Sequence, residues 1–234
     1  MSTDNRTVMV TGAAGNLGRA VADAFAATGA NLVLLDRGAA QLRDAFGEEG
    51  PHRLFLTVNL LDAAQAADAL KSAAKRFGRV DVLCNLAGGF RMGEAVHETG
   101  DDTWNFLSDL NVRTLVNMVR AVVPHMVENG GGRIVNVGAF AAQRGSAQMG
   151  AYSASKSSVI RLTEAMAAEL REKNINVNCV LPTIIDTPQN RADMPQADPS
   201  HWVAPKDLSA VIAFLASDAA RAVHGAALPV TGLS

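Results

Sequence analysis

Two side chains capable of acid–base chemistry lie four residues apart in the segment AYSASKSSVIRLTEAMAAEL. They are Tyr152, the only tyrosine in the chain, and Lys156. In an α-helix this spacing places both side chains on one face. A tyrosine with a pKa of about 10 is a poor proton-transfer catalyst at neutral pH, and a neighbouring ammonium lowers that pKa by stabilising the phenolate. The pair therefore indicates proton transfer, although a core tyrosine beside a solvated lysine would show the same spacing.

A glycine-rich turn, TGAAGNLGRA, lies near the start of the chain between a predicted strand and a predicted helix. Gly12 and Gly15 let the backbone turn tightly and approach a pyrophosphate, and Gly18 lets the helix pack close to the strand. The N-terminus of that helix offers free N–H groups and the positive end of its dipole to phosphate. In this strand–turn–helix context the glycines predict a dinucleotide site.

Asp36 ends the second predicted strand, 18 residues after Gly18. A carboxylate at this place accepts hydrogen bonds from both hydroxyls of an adenosine ribose and repels a 2′-phosphate, which favours NAD(H) over NADP(H). Two alternatives stay open. Asp36 would also serve as a turn or helix-capping residue, and the guanidinium of Arg37 would bind a 2′-phosphate.

Short apolar runs alternate with helical stretches along the chain, which predicts a parallel sheet with helices on both faces. The predicted strands are 7–11, 31–36, 53–58, 80–86, 133–137, 176–181 and 227–230. The predicted helices are 17–28, 39–46, 63–77, 102–129, 151–173 and 206–217. We expect a single-domain α/β Rossmann fold over residues 1–234, doubly wound, with a seven-stranded parallel sheet of order 3-2-1-4-5-6-7. The irregular segment 182–205 is too long for an ordinary connection and is interpreted as a substrate lid.

Composition excludes several classes of protein. Apolar residues make up 48% and charged residues 19% of the chain, and 21 basic side chains oppose 23 acidic ones, so neither disorder nor a nucleic-acid partner is indicated. No apolar run reaches the ~18 residues of a membrane span, and the first residues lack a signal-peptide pattern. Cys84 and Cys179 lie in apolar runs, as buried thiols do, and the five histidines show no metal-ligand spacing. We expect a cytoplasmic protein with a small-molecule substrate and no metal.

The motifs TGAAGNLG, CNLAGG, DLNVRTL and YSASK resemble those of the short-chain dehydrogenases/reductases in order and spacing, over nearly the whole chain. The resemblance implies an NAD(P)-dependent oxidoreductase in which Tyr152 donates or accepts a proton and Lys156 clamps the nicotinamide ribose. Asn111 would anchor a proton-relay water, and an oxidised nicotinamide ring would reinforce the effect of Lys156 on Tyr152. The implied cofactor-binding residues are Gly12, Gly15, Asn16, Leu17, Gly18, Asp36, Arg37, Asn59, Leu60, Asn85, Ala87, Gly88, Tyr152, Lys156, Pro182, Ile185 and Thr187.

Three positions depart from the family pattern. The middle glycine of the loop comes one residue early, at Gly15, and the adenine-contacting aspartate of the family matches Asn59. The catalytic serine, 13 residues before Tyr152, matches Ala139. Losing a donor to a developing oxyanion costs about 10²–10³ in rate. Either another donor replaces the serine, for which the candidates are Gln143, Ser146 and Gln148, or the substrate needs none.

The early glycine, the Gly-Ala pair at the serine position and the segment LPTIIDTPQNRADMPQAD are similar to those of the dihydropteridine reductase subgroup. That resemblance implies a planar substrate with a conjugated C=N bond, on which Phe90 and Trp202 would stack. Two alternatives are a 3-oxoacyl thioester reductase and a non-catalytic dinucleotide sensor, and the Tyr152/Lys156/Asn111 set favours an enzyme. The long helices 102–129 and 151–173 carry apolar residues on several faces, and the family pairs these helices, so we expect a dimer or tetramer.

Overall fold

The computed structural model describes residues 6–234 and contains the predicted seven-stranded parallel sheet. The strands are β1 (Thr7–Thr11), β2 (Asn31–Asp36), β3 (Arg53–Thr57), β4 (Val82–Asn85), β5 (Gly132–Val137), β6 (Ile175–Pro182) and β7 (Ala227–Val230). Their order is β3-β2-β1-β4-β5-β6-β7, and every pairing is parallel. The expected fold class and strand order are confirmed.

Helices cover the sheet on both sides because its central strands are apolar on both faces. The helices are α1 (Asn16–Ala26), α2 (Ala39–Phe46), α3 (Ala63–Phe77), α4 (Asp101–Ser108), α5 (Thr114–Glu128), α6 (Gly150–Leu170), α7 (Pro188–Asp193) and α8 (Pro205–Leu215). Met9 and Leu83 belong to one buried core, together with residues of α3, α5 and α6. Val10 and Cys84, which alternate with them along β1 and β4, belong to the other core with residues of α1 and α8.

The long helix predicted at 102–129 is interrupted. Residues Asp109–Arg113 form a π-helical turn between α4 and α5. A π-helical turn holds one residue more than an α-helical turn, and the apolar periodicity of the helices on either side is unchanged. The apolar pattern therefore does not predict the interruption. Elsewhere the corrections concern ends. The strand predicted at 80–86 is Val82–Asn85, and the helix predicted at 151–173 ends at Leu170 and continues as a 3₁₀ turn.

The 182–205 segment has structure of its own and is fastened at its base. It carries α7 and a 3₁₀ turn at Pro199–His201. Ile185 pairs with Val203 in an isolated bridge, and the backbone N–H of Asp186 donates to the carbonyl of Val203 at 2.9 Å. Arg191 forms a two-pronged ion pair with Asp186 across the same segment. Within the residues described, no helix is both long and apolar enough to cross a membrane.

Candidate active site

A cleft of about 570 Å³ lies at the carboxyl ends of the central strands. Its lining includes the predicted residues Gly12, Gly15, Asn16, Leu17, Gly18, Asp36, Arg37, Asn59, Leu60, Ala87, Gly88, Ile185 and Thr187. It also includes Ala14, Arg19, Gln41, Asp44, Val58, Leu61, Leu86, Leu110 and Thr114, which the motifs did not identify. The predicted residues Asn85, Tyr152, Lys156 and Pro182 lie outside this lining.

The glycine-rich turn has the tight geometry that its sequence predicts. Gly12 has a φ of +64°, and a Cβ there would lie 3.1 Å from the Cα of Ala87. A Cβ on Gly18 would lie 2.3 Å from the carbonyl oxygen of Gly12, so α1 starts in direct contact with the end of β1. The turn therefore leaves an open cradle beside the N-terminus of an 11-residue helix, which fits a pyrophosphate.

Asp36 is held in place by the backbone around it. Its carboxylate accepts the N–H of Ala14 at 2.9 Å through one oxygen and the N–H of Arg37 at 2.7 Å through the other. Each carboxylate oxygen keeps a further lone pair for a ligand hydroxyl. Arg19 also lines the cleft and donates its Nε–H to the carbonyl of Ala14. The charged groups in the lining are therefore the carboxylates of Asp36 and Asp44 and the guanidinium groups of Arg19 and Arg37.

Lys156 is buried, with 6% of its surface exposed, and its Nζ donates to the carbonyl of Val137 at 2.9 Å. Burial lowers the pKa of Lys156 to about 8, because the ammonium is removed from water. The Nζ borders the cleft at Gly88, where a Cβ would lie 3.1 Å from it. An ammonium at this point is suited to the hydroxyls of a ligand sugar.

Tyr152 is partly buried against the exposed ring of Phe90. The two rings meet edge to face, with centroids 4.8 Å apart. Burial raises the pKa of Tyr152 to about 12. Desolvation alone accounts for this shift, and the Lys156 ammonium is bonded to the carbonyl of Val137. The expectation that Lys156 and an oxidised nicotinamide together lower the pKa of Tyr152 stays a prediction for the cofactor-bound site. At neutral pH Tyr152 is a phenol that can donate a proton.

Asn111 lies within the π-helical turn and joins three elements. Its Oδ1 accepts the N–H of Gly89 at 2.9 Å, and its Nδ2 donates to the Gly89 carbonyl at 3.1 Å and to Ser155 Oγ at 3.0 Å. Ser155 in turn donates to the carbonyl of Tyr152 at 2.8 Å. Asn111 thus connects the loop after β4 to α6 one turn from Tyr152.

The place of the family serine holds a buried residue without a hydroxyl. Ala139 is 4% exposed, and a Cβ on the neighbouring Gly138 would lie 2.7 Å from Leu181 Cδ2 and 3.0 Å from Cys179 Sγ, so a side chain there would require these two side chains to shift. Gln143 lines a separate depression with Ser157, Arg161 and Ala227.

The other two candidate donors lie on an exposed loop. Ser146 accepts the N–H of Met149 through its carbonyl, and the carbonyl of Gln148 accepts the N–H of Gly93. Gln148 has a φ of +61°, which is uncommon for a residue with a side chain. These contacts attach the loop after β4 to the segment that precedes α6.

Four further predicted residues have structural contacts. Trp202 is buried, with 8% of its surface exposed, at the base of the 182–205 segment, whereas the ring of Phe90 is 54% exposed. Asn85 donates to Asn136 beneath the cleft at 2.9 Å. Pro182 ends β6 beside Val230.

Thr187 caps α7 by accepting the N–H of Asn190, which leaves its O–H free to donate to a ligand. Among residues 6–234, no three His, Cys, Asp or Glu side chains lie close enough together to hold a metal ion.

A parallel sheet with a glycine cradle, a helix N-terminus and a strand-end carboxylate at one cleft defines a Rossmann-type dinucleotide-binding protein. Comparisons with known proteins refine this class. The family model of the short chain dehydrogenases matches residues 6–198. The chain belongs to that family, whose members are dehydrogenases and reductases, and it is an oxidoreductase.

Three similar proteins align with nearly the whole chain. D-threitol dehydrogenase of Mycolicibacterium smegmatis is 34% identical over 98% of this chain and 92% of its own length. The 3-oxoacyl-[acyl-carrier-protein] reductase FabG of Salmonella typhimurium is 30% identical over 99% of this chain and 98% of its own length. The crystal structure of 3-ketoacyl-(acyl-carrier-protein) reductase from Brucella melitensis complexed with NADH superposes with a TM-score of 0.88. It is 30% identical in sequence, and the match covers 99% of this chain and 98% of that one.

Proposed function

We propose that this protein is an NAD(H)-dependent reductase of a small planar substrate with a conjugated C=N bond, and that Tyr152 is its proton donor. The observation that carries the proposal is the buried Ala139 at the place of the family serine, next to Gly138, so that neither residue supplies a hydroxyl. The site keeps a proton donor and lacks the usual hydroxyl that polarises a ketone.

Different residues of the site bind the dinucleotide and transfer the proton. The glycine turn holds the pyrophosphate, Asp36 holds the adenosine ribose and Lys156 holds the nicotinamide ribose. When bound, the nicotinamide supplies the hydride. Tyr152, whose ring meets that of Phe90 edge to face, delivers the proton from its phenol O–H.

The absence of the serine hydroxyl slows the reduction of some substrates more than that of others. In ketone reduction negative charge develops on one oxygen, and the loss of a positioned donor costs about 10²–10³ in rate. In a conjugated heterocycle the charge spreads over the ring, so the same loss matters less. Phe90 presents an exposed ring at Tyr152 against which a planar substrate can pack, and the 182–205 segment would cover it as a lid.

NAD(H) is the proposed cofactor because Asp36 supplies two fixed acceptors to the ribose hydroxyls and repels a 2′-phosphate. Arg19 and Arg37, which also line the cleft, oppose this preference. Fluorescence titration with NADH and NADPH tests the balance. We expect tighter binding of NADH, and equal or reversed affinities would mean that the two guanidinium groups dominate.

A 3-oxoacyl thioester reductase is the second candidate, favoured by the 30% identity to FabG of Salmonella typhimurium over 99% of this chain. That activity requires a substitute for the serine hydroxyl from Gln143, Ser146 or Gln148. The contacts of Gln143 with a separate depression and the exposure of Ser146 and Gln148 speak against it. A sensor without catalysis would not need the buried Lys156 beside Tyr152.

Turnover of three substrates with NADH tests the proposal: a quinonoid dihydropteridine, a 3-oxoacyl thioester and a simple ketone. We expect the dihydropteridine to react fastest. Ala139→Ser should raise ketone reduction more than dihydropteridine reduction. Ala141→Ser, which adds a hydroxyl two residues away, should leave both rates unchanged. Strong turnover of the thioester with none of the dihydropteridine would overturn the assignment.

A further inference from the structure

The loop at residues 58–61, which follows β3, is held rigidly where it lines the cleft. The N–H of Val58 donates to the carbonyl of Asp36 at 2.9 Å, and the N–H of Asn59 donates to Gln65 Oε1 at 2.9 Å. The carbonyl of Leu60 accepts from the buried amide of Asn117 at 2.9 Å. The loop therefore presents a fixed set of hydrogen-bonding groups to whatever occupies this end of the cleft.

This end of the cleft is where a purine base would lie. With the phosphates at the glycine turn and the ribose at Asp36, the base of a bound dinucleotide would lie beyond Asp36, away from the phosphates. The loop is bonded directly to Asp36 there, and Leu61 adds a side chain that is 43% exposed. An apolar side chain beside polar loop atoms suits a flat base whose edge is read by hydrogen bonds.

The side-chain amide of Asn59 is oriented by the loop itself. Its Oδ1 accepts the N–H of Leu61 at 3.2 Å, which distinguishes the oxygen from the nitrogen. Within residues 6–234 no protein atom accepts a hydrogen bond from its Nδ2. Asn59 therefore offers a donor to the cleft, whereas an aspartate at this position would keep the turn and offer only acceptors.

We propose that Asn59 makes the base subsite tolerant of 6-oxopurines, so that the protein binds a hypoxanthine dinucleotide about as tightly as the adenine form. Adenine carries a donor amine at position 6, which the remaining lone pair of Asn59 Oδ1 can accept, and an acceptor at N1, to which Nδ2 can donate. Hypoxanthine reverses both groups, with an acceptor oxygen at position 6 for Nδ2 and a donor N1–H for Oδ1. The inference rests on the proposed dinucleotide site and concerns only its selectivity for the base.

Dissociation constants of NADH and of its deaminated hypoxanthine analogue test this inference through the fluorescence of the reduced nicotinamide. The wild-type protein should bind the two within about threefold of each other, because Asn59 can form neutral hydrogen bonds with either base. Asn59→Asp preserves the turn and should favour NADH by at least about tenfold, because a carboxylate accepts from the amine and repels the oxygen. Asn105→Asp adds the same charge on the exposed face of α4 and should leave the ratio unchanged.

The outcomes separate the two proposals. A wild-type preference for NADH of more than about threefold, or an unchanged ratio in Asn59→Asp, would overturn the role of Asn59 while leaving the dinucleotide site intact. Failure of the wild-type protein to bind either nucleotide would overturn both.

Discussion

Replacing Lys156 with methionine should change how the stability of the protein depends on pH. The Lys156 ammonium is buried, and its pKa falls from 10.5 in water to about 8 in the folded state. Between those two values the unfolded chain binds a proton that the folded protein has released, so this group makes stability rise with pH across the interval. At about 1.4 kcal/mol per pH unit, the interval amounts to about 3 kcal/mol.

Methionine is unbranched and similar in length, so it can fill the same space without the charge. The free energy of unfolding of Lys156→Met, relative to wild type, should therefore be highest below pH 8 and fall by about 3 kcal/mol by pH 10.5. Tyr152 and Cys84 also have raised pKa values, but both proteins share these groups and their contributions cancel in the difference. Cys179 is the exception, because the Lys156 ammonium lowers its pKa. Removing that ammonium raises the pKa of Cys179 further, which adds to the fall in relative stability above pH 9.

Urea unfolding followed by tryptophan fluorescence, at intervals from pH 7 to 10.5 and without added nucleotide, measures this difference. Lys206→Met removes an exposed lysine from α8 and serves as the control, whose stability should parallel that of wild type. A difference between Lys156→Met and wild type that stays constant with pH would refute the reasoning, because it would mean that the Lys156 ammonium is solvated in the folded protein.

Three further predictions follow from packing. Gly18→Ala should weaken NADH binding by at least about tenfold in a fluorescence titration, because its Cβ would lie 2.3 Å from a backbone oxygen that cannot move away. An unchanged affinity would contradict the geometry of the turn. Trp202→Ala should lower the free energy of unfolding by about 3–5 kcal/mol, as truncation of a buried ring does, and a loss below about 1 kcal/mol would show that the ring is not packed. Sedimentation at micromolar concentration should show a dimer or tetramer, and a monomer would refute the pairing of the long helices.

The strand order could be predicted because the chain alternates apolar runs with helices, and such alternation has few right-handed solutions. The exact ends of the strands and helices could not be predicted in this way. Val80 is apolar and buried and was included in a strand, yet its N–H donates to His125 Nε2 outside the ladder. The π-helical turn between α4 and α5 was hidden for a similar reason, since apolar spacing records which residues are buried and not how the backbone bonds between them.

Within the candidate site, motifs located the residues whose positions depend on backbone shape. Gly12 and Gly18 are required by close contacts that no other residue permits, so their sequence context was sufficient. Leu110 and Thr114 line the same cleft but come from distant elements, and only the folded chain brings them there. Trp202 shows the opposite error. An aromatic residue in an irregular segment suggested a stacking surface, but the C-terminal residues pack against its backbone at Gly232 and the side chain is buried.

Asn111 shows how sequence and structure together limit a role. A resemblance assigned it to a relay water, but both of its amide hydrogens are already used, one by the Gly89 carbonyl and one by Ser155 Oγ. The side chain therefore has no proton to give to a water and can act toward one only as an acceptor. Because Ser155 also bonds the carbonyl of Tyr152, the same contacts fix the distance between the loop after β4 and the helix that carries Tyr152. Anchoring of a relay water by an acceptor atom of Asn111 stays a prediction, and the hydrogen bonds to Gly89 and Ser155 give the residue a positioning role beside it.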